Sequence, residues 1–123
     1  MTFSPDSKWI VGASLSGAAQ MWETETLAPV AQFPGFLQMI ASVAFSPDGK
    51  RLLTSSAGKE TIKLWDVESR QELLTLESHG SWFHPSAFSP DGNVLGSRSA
   101  SLIPTFAPGV VHLWRAPSWK EIE

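Results

Sequence analysis

The chain has 123 residues, 9 Lys and Arg against 12 Asp and Glu, a net charge of −3 and no cysteine. That length suits one domain, and the missing thiols exclude a disulfide framework and thiolate chemistry while fitting a reducing cytoplasm, which is the expected location. The densest basic spot is Lys50-Arg51, too little for nucleic-acid binding, and no apolar run approaches the ~20 residues of a membrane-crossing helix, so neither nucleic acid nor membrane is an expected partner.

The first element is a turn, Phe3-Ser4-Pro5-Asp6. Next comes Trp9-Ile10-Val11-Gly12-Ala13-Ser14-Leu15, which loosely imitates a secretory signal. Asp6 sits where a signal needs positive charge, and Gly and Ser break the apolar stretch; it reads as a buried strand. Met21-Trp22 marks a further strand, followed by a Thr-rich turn holding Glu23 and Glu25.

The pattern then returns in its cleanest form. Ser42-Val43-Ala44-Phe45 is a short apolar run, and Ser46-Pro47-Asp48-Gly49 is a turn in which Pro pre-sets φ and Gly closes left-handed. Arg51 to Ser56 resumes as a strand, Ala57 to Glu60 turns, and Thr61-Ile62-Lys63-Leu64-Trp65 is a β-branched and aromatic strand. After a polar turn from Asp66 to Arg70, Glu72 to Leu76 makes a fourth strand. Leu52 and Leu53 are adjacent rather than alternating, which predicts a sheet covered on both faces.

A third unit begins at Phe88-Ser89-Pro90-Asp91 and reaches Leu113-Trp114, with Ser118 to Ile122 as its expected fourth strand. The three Phe-Ser-Pro-Asp strings lie 42 and 43 residues apart, and the Trp of each unit follows its Phe by 19, 20 and 26 residues. Two markers in fixed order identify an internal repeat. The third unit carries its extra residues between Ser99 and Gly109, where Leu102, Ile103 and Phe106 stand among Pro104 and Pro108. Apolar residues in a loop on a rigid scaffold make these three the candidate partner contacts.

The Ala-Phe-Ser-Pro-Asp-Gly turn and the Ile-Lys-Leu-Trp-Asp strand resemble the WD-repeat family of β-propellers, its bacterial members especially. The resemblance implies an all-β fold of three four-stranded antiparallel blades of a WD-type β-propeller. The blades are expected at 1–41, 42–84 and 85–123, as an open arc or part of a closed ring. The family often places an Asp six residues before the Trp and a Gly-His pair before the first strand, which together lock the blade. Here Ser16, Lys59 and Pro108 stand at the Asp position, and Gly35-Phe36 and Ser78-His79 at the pair. The locking network is therefore expected to be absent or degenerate, and the blades to rest on apolar packing. Only Asp66 keeps the Asp after Trp, against Glu23 and Arg115. Three blades fall short of the four to eight of a closed propeller, so self-association through exposed terminal blades is expected unless further blades adjoin.

No motif in the chain carries recognisable chemistry. Gly58-Lys59 lacks the Ser or Thr of a phosphate loop, since Glu60 follows. Gly12 to Gly17 does not fit a nucleophile elbow. His79 and His84 are five apart and would point to opposite faces of a strand; His112 lies within a strand. Trp22, Trp65 and Trp114 recur once per unit and read as packing, whereas Trp82 and Trp119 do not recur. No catalytic, cofactor or metal residue is assigned. The expected role is a protein-interaction scaffold for a protein or peptide partner, not an enzyme. Two alternatives are a non-catalytic sensor propeller at the C-terminus of a bacterial serine/threonine kinase, to whose last blade Leu113 to Glu123 is similar, and part of a propeller hydrolase.

Overall fold

The computed structural model describes residues 1–34, 39–56, 62–76, 82–100 and 110–115. They hold eleven strands in three antiparallel sheets and no helix. The first sheet is β1 (Thr2–Phe3), β2 (Trp9–Ala13), β3 (Ala19–Glu23) and β4 (Pro29–Phe33), in that spatial order. The second is β5 (Ile40–Phe45), β6 (Arg51–Ser56), β7 (Ile62–Asp66) and β8 (Glu72–Leu76). The third runs β9 (Trp82–Phe88), β10 (Val94–Ala100) and β11 (Val110–Arg115). The expected fourth strand of that unit lies outside the described residues.

The turn after each first strand is built three times from the same parts. Ser4, Ser46 and Ser89 carbonyls accept from the N–H groups of Ser7, Gly49 and Gly92 at 2.9, 2.9 and 2.8 Å. The seryl hydroxyls donate to Asp6, Asp48 and Asp91, at 2.6 Å in the first two. The same hydroxyls accept from the N–H groups of Trp9, Arg51 and Val94. Each aspartate also accepts a backbone N–H two residues on. Pro supplies φ, Ser and Asp satisfy the turn's own N–H groups, and the closing residue takes a positive φ. That residue is glycine twice, with φ 72 at Gly49 and 75 at Gly92, but Ser7 with φ 62 in the first sheet.

Register assigns each residue to a face. Phe45, Leu52 and Trp65 lie in one cross-strand row, and Ala44, Leu53, Leu64 and Leu74 in the next. Successive rows face opposite sides of a sheet. Leu52 and Trp65 pack with Val11, Met21, Ala31 and Phe33 of the first sheet. Leu53 and Ile62 pack with Leu95 of the third, flanked by Leu64, Leu76, Phe88 and Trp114. The adjacent leucines are thus both fully buried because a sheet covers each face, and each contributes about 1.5–3 kcal/mol by burial.

The backbones come closest along the inner strands: β5 lies beside β1 and β2 on one side and β9 on the other. Ser86 N–H also donates to Ser42 Oγ across the second boundary at 3.3 Å. The described sheets stack in an open arc like the blades of a β-propeller and do not close a ring.

Candidate interaction site

Grooves open where neighbouring sheets meet. The groove between the first two sheets encloses about 440 Å³. Trp9 and Met21 supply its apolar wall; Lys50, Arg51, Asp66, Val67, Glu68 and Arg70 supply the other. Two turns position those groups. One is the Ser46–Gly49 turn just described. The other follows β7, where Arg70 N–H donates to the Asp66 carbonyl at 2.8 Å and Arg70 takes φ 62. Asp66 Oδ2 accepts from Ser69 N–H at 2.8 Å, and Asp66 pairs with Arg51 at 3.5 Å. Hydrogen bonds from Ser69, with Arg51 beside it, hold the Asp66 carboxyl below its usual range. Lys50, Glu68 and Arg70 remain exposed at the rim. The groove therefore offers an aromatic wall, with Met21 buried behind it, beside three cations and two carboxylates, a surface suited to a peptide side chain with a neighbouring charge.

The groove between the second and third sheets is different in kind. It encloses about 330 Å³ and is lined by Leu64, Leu74, Leu76, Phe88, Leu95 and Trp114 among others. Its counterpart at the first boundary is filled by Phe33, which is fully buried and meets the Trp65 ring edge-on at a centroid distance of 5.5 Å. Leu76 stands at the register position of Phe33, paired to Ile62 as Phe33 is to Ala19. A leucine does not reach as far as a phenyl ring, and the space stays open.

Several described polar groups elsewhere are engaged within the sheets and turns. Lys63, largely buried, donates to Glu72 Oε1 at 2.9 Å and to Thr75 Oγ1 at 3.2 Å. Hydrogen bonds from Thr75 and then Lys63 lower the Glu72 carboxyl. Trp65 Nε1 donates to Thr54 Oγ1 at 2.9 Å in the core. Asp6, Asp48 and Asp91 are lowered, first by Ser4, Ser46 and Ser89 and next by the backbone N–H two residues on. No described carboxyl with a resolved shift is raised, as a general acid would need. Among the described residues no three His, Asp or Glu come together as a metal site would require. Glu25 is exposed, and Glu23 accepts from Thr26 at 2.9 Å within its turn.

Leu102, Ile103 and Phe106 lie outside the described residues, as do His79, Lys59, Pro108 and Trp119. Their segment, 101–109, joins β10 to β11. Ser16, at the position of the family's Asp, bonds Ser14 at 2.8 Å on the surface. Neither inter-sheet groove is visible in the sequence, because each is lined from two sheets whose residues are tens of positions apart. The contrast of Phe33 with Leu76 is the only local trace, and it has meaning only once strand register is known.

Residues 27–66 match the family model described as WD domain, G-beta repeat. That stretch begins just before β4 of the first sheet and ends with β7 of the second. The sequence unit is therefore offset from the sheet: it joins an outer strand to the inner three strands of the next. Over 100 residues the chain is 28% identical to WD repeat and SOCS box-containing protein 1 of Mus musculus, covering 80% of this chain and 24% of that protein. It is 32% identical over 96 residues to Transducin beta-like protein 3 of Bos taurus, covering 77% and 12%. It is 34% identical over 71 residues to Coronin-like protein of Saccharomyces cerevisiae, covering 58% and 11%. The chain spans about a quarter or less of the length of these curated relatives.

Proposed function

We propose that this chain, which carries WD-repeat sequence on stacked antiparallel sheets, is a non-catalytic scaffold that binds a protein or peptide partner. The groove between the first two sheets carries the reading. Its walls come from two sheets held in fixed relation by a shared core, so its shape is set before a partner arrives, and a site formed in advance loses less entropy on binding. An apolar side chain would enter beside Trp9, and an acidic neighbour would meet Lys50 and Arg70. Leu102, Ile103 and Phe106 form a second contact in this proposal; their place between β10 and β11 supports it. Among the relatives, one is named for WD repeats together with a SOCS box, which is consistent with repeats acting as one component of a larger protein.

A displayed peptide library sorted on the folded chain tests the reading. Peptides with an apolar residue next to an acidic one should be enriched. Enrichment should fall in a Lys50→Glu/Arg70→Glu variant, whose changes are both on the surface. An Ile103→Asp/Phe106→Asp variant reads the second contact. Equal enrichment on all three proteins would refute the proposal.

A further inference from the structure

The boundary between the second and third sheets is apolar beside Trp114 and polar one layer away. Ala44 and Leu53 of the second sheet meet Phe88 and Leu95 of the third in the apolar layer. Two residues along each of those strands, and so on the same faces, stand Ser42, Ser55, Ser86 and Ser97. Ser42 pairs with Ser55 and Ser86 with Ser97, so each sheet turns two neighbouring hydroxyls toward the other.

The four are not equally engaged. Ser86 Oγ donates to Ser97 Oγ at 2.9 Å, and Ser86 N–H crosses the boundary to Ser42 Oγ at 3.3 Å. Ser55 Oγ has no partner, although Ser55 is 0% exposed. The Ser42 hydroxyl accepts from Ser86, but its own proton goes to no described acceptor. A buried hydroxyl that has lost its hydration and found no bond is destabilising.

Both sheets are irregular at this level. The pairing of β5 with β6 steps over Ala41, next to Ser42, and the pairing of β9 with β10 steps over Pro85, next to Ser86. A bulge adds one residue to one strand and disrupts the ladder around it, which loosens the backbone beside the serines. The first boundary differs. Ala13 holds there the place of Ser55, three positions beyond the residue opposite the repeat Phe, and a methyl group needs no partner.

We infer that one water molecule is bound between the second and third sheets, accepting from Ser42 Oγ and donating to Ser55 Oγ. Directly opposed residues hold their Cβ atoms about 4.5–5.5 Å apart, a spacing at which two hydroxyls can share one water. The pair supplies two of the roughly two to four hydrogen bonds that a buried water makes. The site is independent of the groove at Trp9, and either reading can fail without the other.

The test is oxygen-17 magnetic relaxation dispersion of the solvent around the whole folded chain. The method counts long-lived bound waters and is blind to exchanging hydroxyl protons. Ser55→Val and Ser42→Val should each lower the dispersion amplitude by one water. Ser16→Ala, which alters the surface bond between Ser14 and Ser16, should leave the amplitude unchanged. Far-ultraviolet circular dichroism confirms that the variants fold. Ser55→Ala gives a second readout in urea melts. With the water in place it should lower the folding constant several-fold, whereas removing a hydroxyl that is dry and unpaired would leave that constant unchanged or raise it. A third readout needs no variant: the Ser55 and Ser86 amides of the unaltered chain should show nuclear Overhauser effects to water with the sign of a long-lived contact. The inference is overturned by an amplitude that Ser55→Val leaves intact, by a Ser55→Ala chain at least as stable as the unaltered one, or by absence of those effects.

Discussion

Thr54 and Gly12 occupy the same place in their sheets, two positions beyond the residue opposite the repeat Trp, yet they treat that Trp differently. Thr54 accepts the Trp65 indole N–H. Gly12 instead leaves room for a ring: an added Cβ there would lie 3.1 Å from Trp22 Cζ3. The hydroxyl serves a buried tryptophan, while the glycine admits one on an open face. Thr54→Val should therefore leave a buried indole N–H unpaired and cost about 1–3 kcal/mol. A urea-melt cycle with Trp65→Phe should show coupling of about 0.5 kcal/mol or more between the two positions. Additive single effects would show that the hydrogen bond contributes nothing.

Single elements are governed by their turns. After β3 and β7 the chain makes the same five-residue reversal, with Leu27 N–H bonded to the Glu23 carbonyl and Arg70 N–H to the Asp66 carbonyl. Both closing residues adopt positive φ, 59 at Leu27 and 62 at Arg70. A left-handed conformation costs a non-glycine residue roughly 1–2 kcal/mol, and Leu27 is 70% exposed, so little packing offsets it. Leu27→Gly should raise the urea midpoint by the equivalent of about 1 kcal/mol; a lowered midpoint would mean the leucine packs in solution. The Ser-Pro-Asp turns that start at Ser4, Ser46 and Ser89, by contrast, were legible in the sequence because their demands are local: Pro for one dihedral, Gly for another in two of them, Ser and Asp for the N–H groups. Lys63 was not legible. It stands in a strand as an ordinary polar residue, and only the bulged β7–β8 pairing brings Glu72 and Thr75 to its amine.

At the level of the whole molecule, the resolved carboxyl shifts act in one direction. Asp6, Asp48, Asp66, Asp91 and Glu72 all titrate below their ordinary values of 3.8 and 4.5. A lowered folded pKa means the unfolded chain binds protons first. The stabilisation is present above the unfolded values and is lost as pH falls through the folded ones. The thermal midpoint should be flat near neutrality and fall as pH drops below about 4.5. Asp48→Asn should flatten that fall in part, and an unchanged profile would remove Asp48 as a contributor.

The repeat, the all-β class, the three turns and the burial of both faces around Leu52 and Leu53 were written in the sequence, because each rests on residues close together in the chain. Which sheet each leucine faces, the charged groove at Trp9, and the slot left by Leu76 where Phe33 fills its counterpart were decided only in three dimensions. They depend on strand register, on which β5 lies between β2 and β9, and on residues that stacking brings together from separate repeats. The sequence unit also hid the boundary itself, since a stretch from Leu27 to Asp66 crosses from one sheet to the next: a sheet cannot bury its faces alone, and the chain links each one to its neighbour through an outer strand.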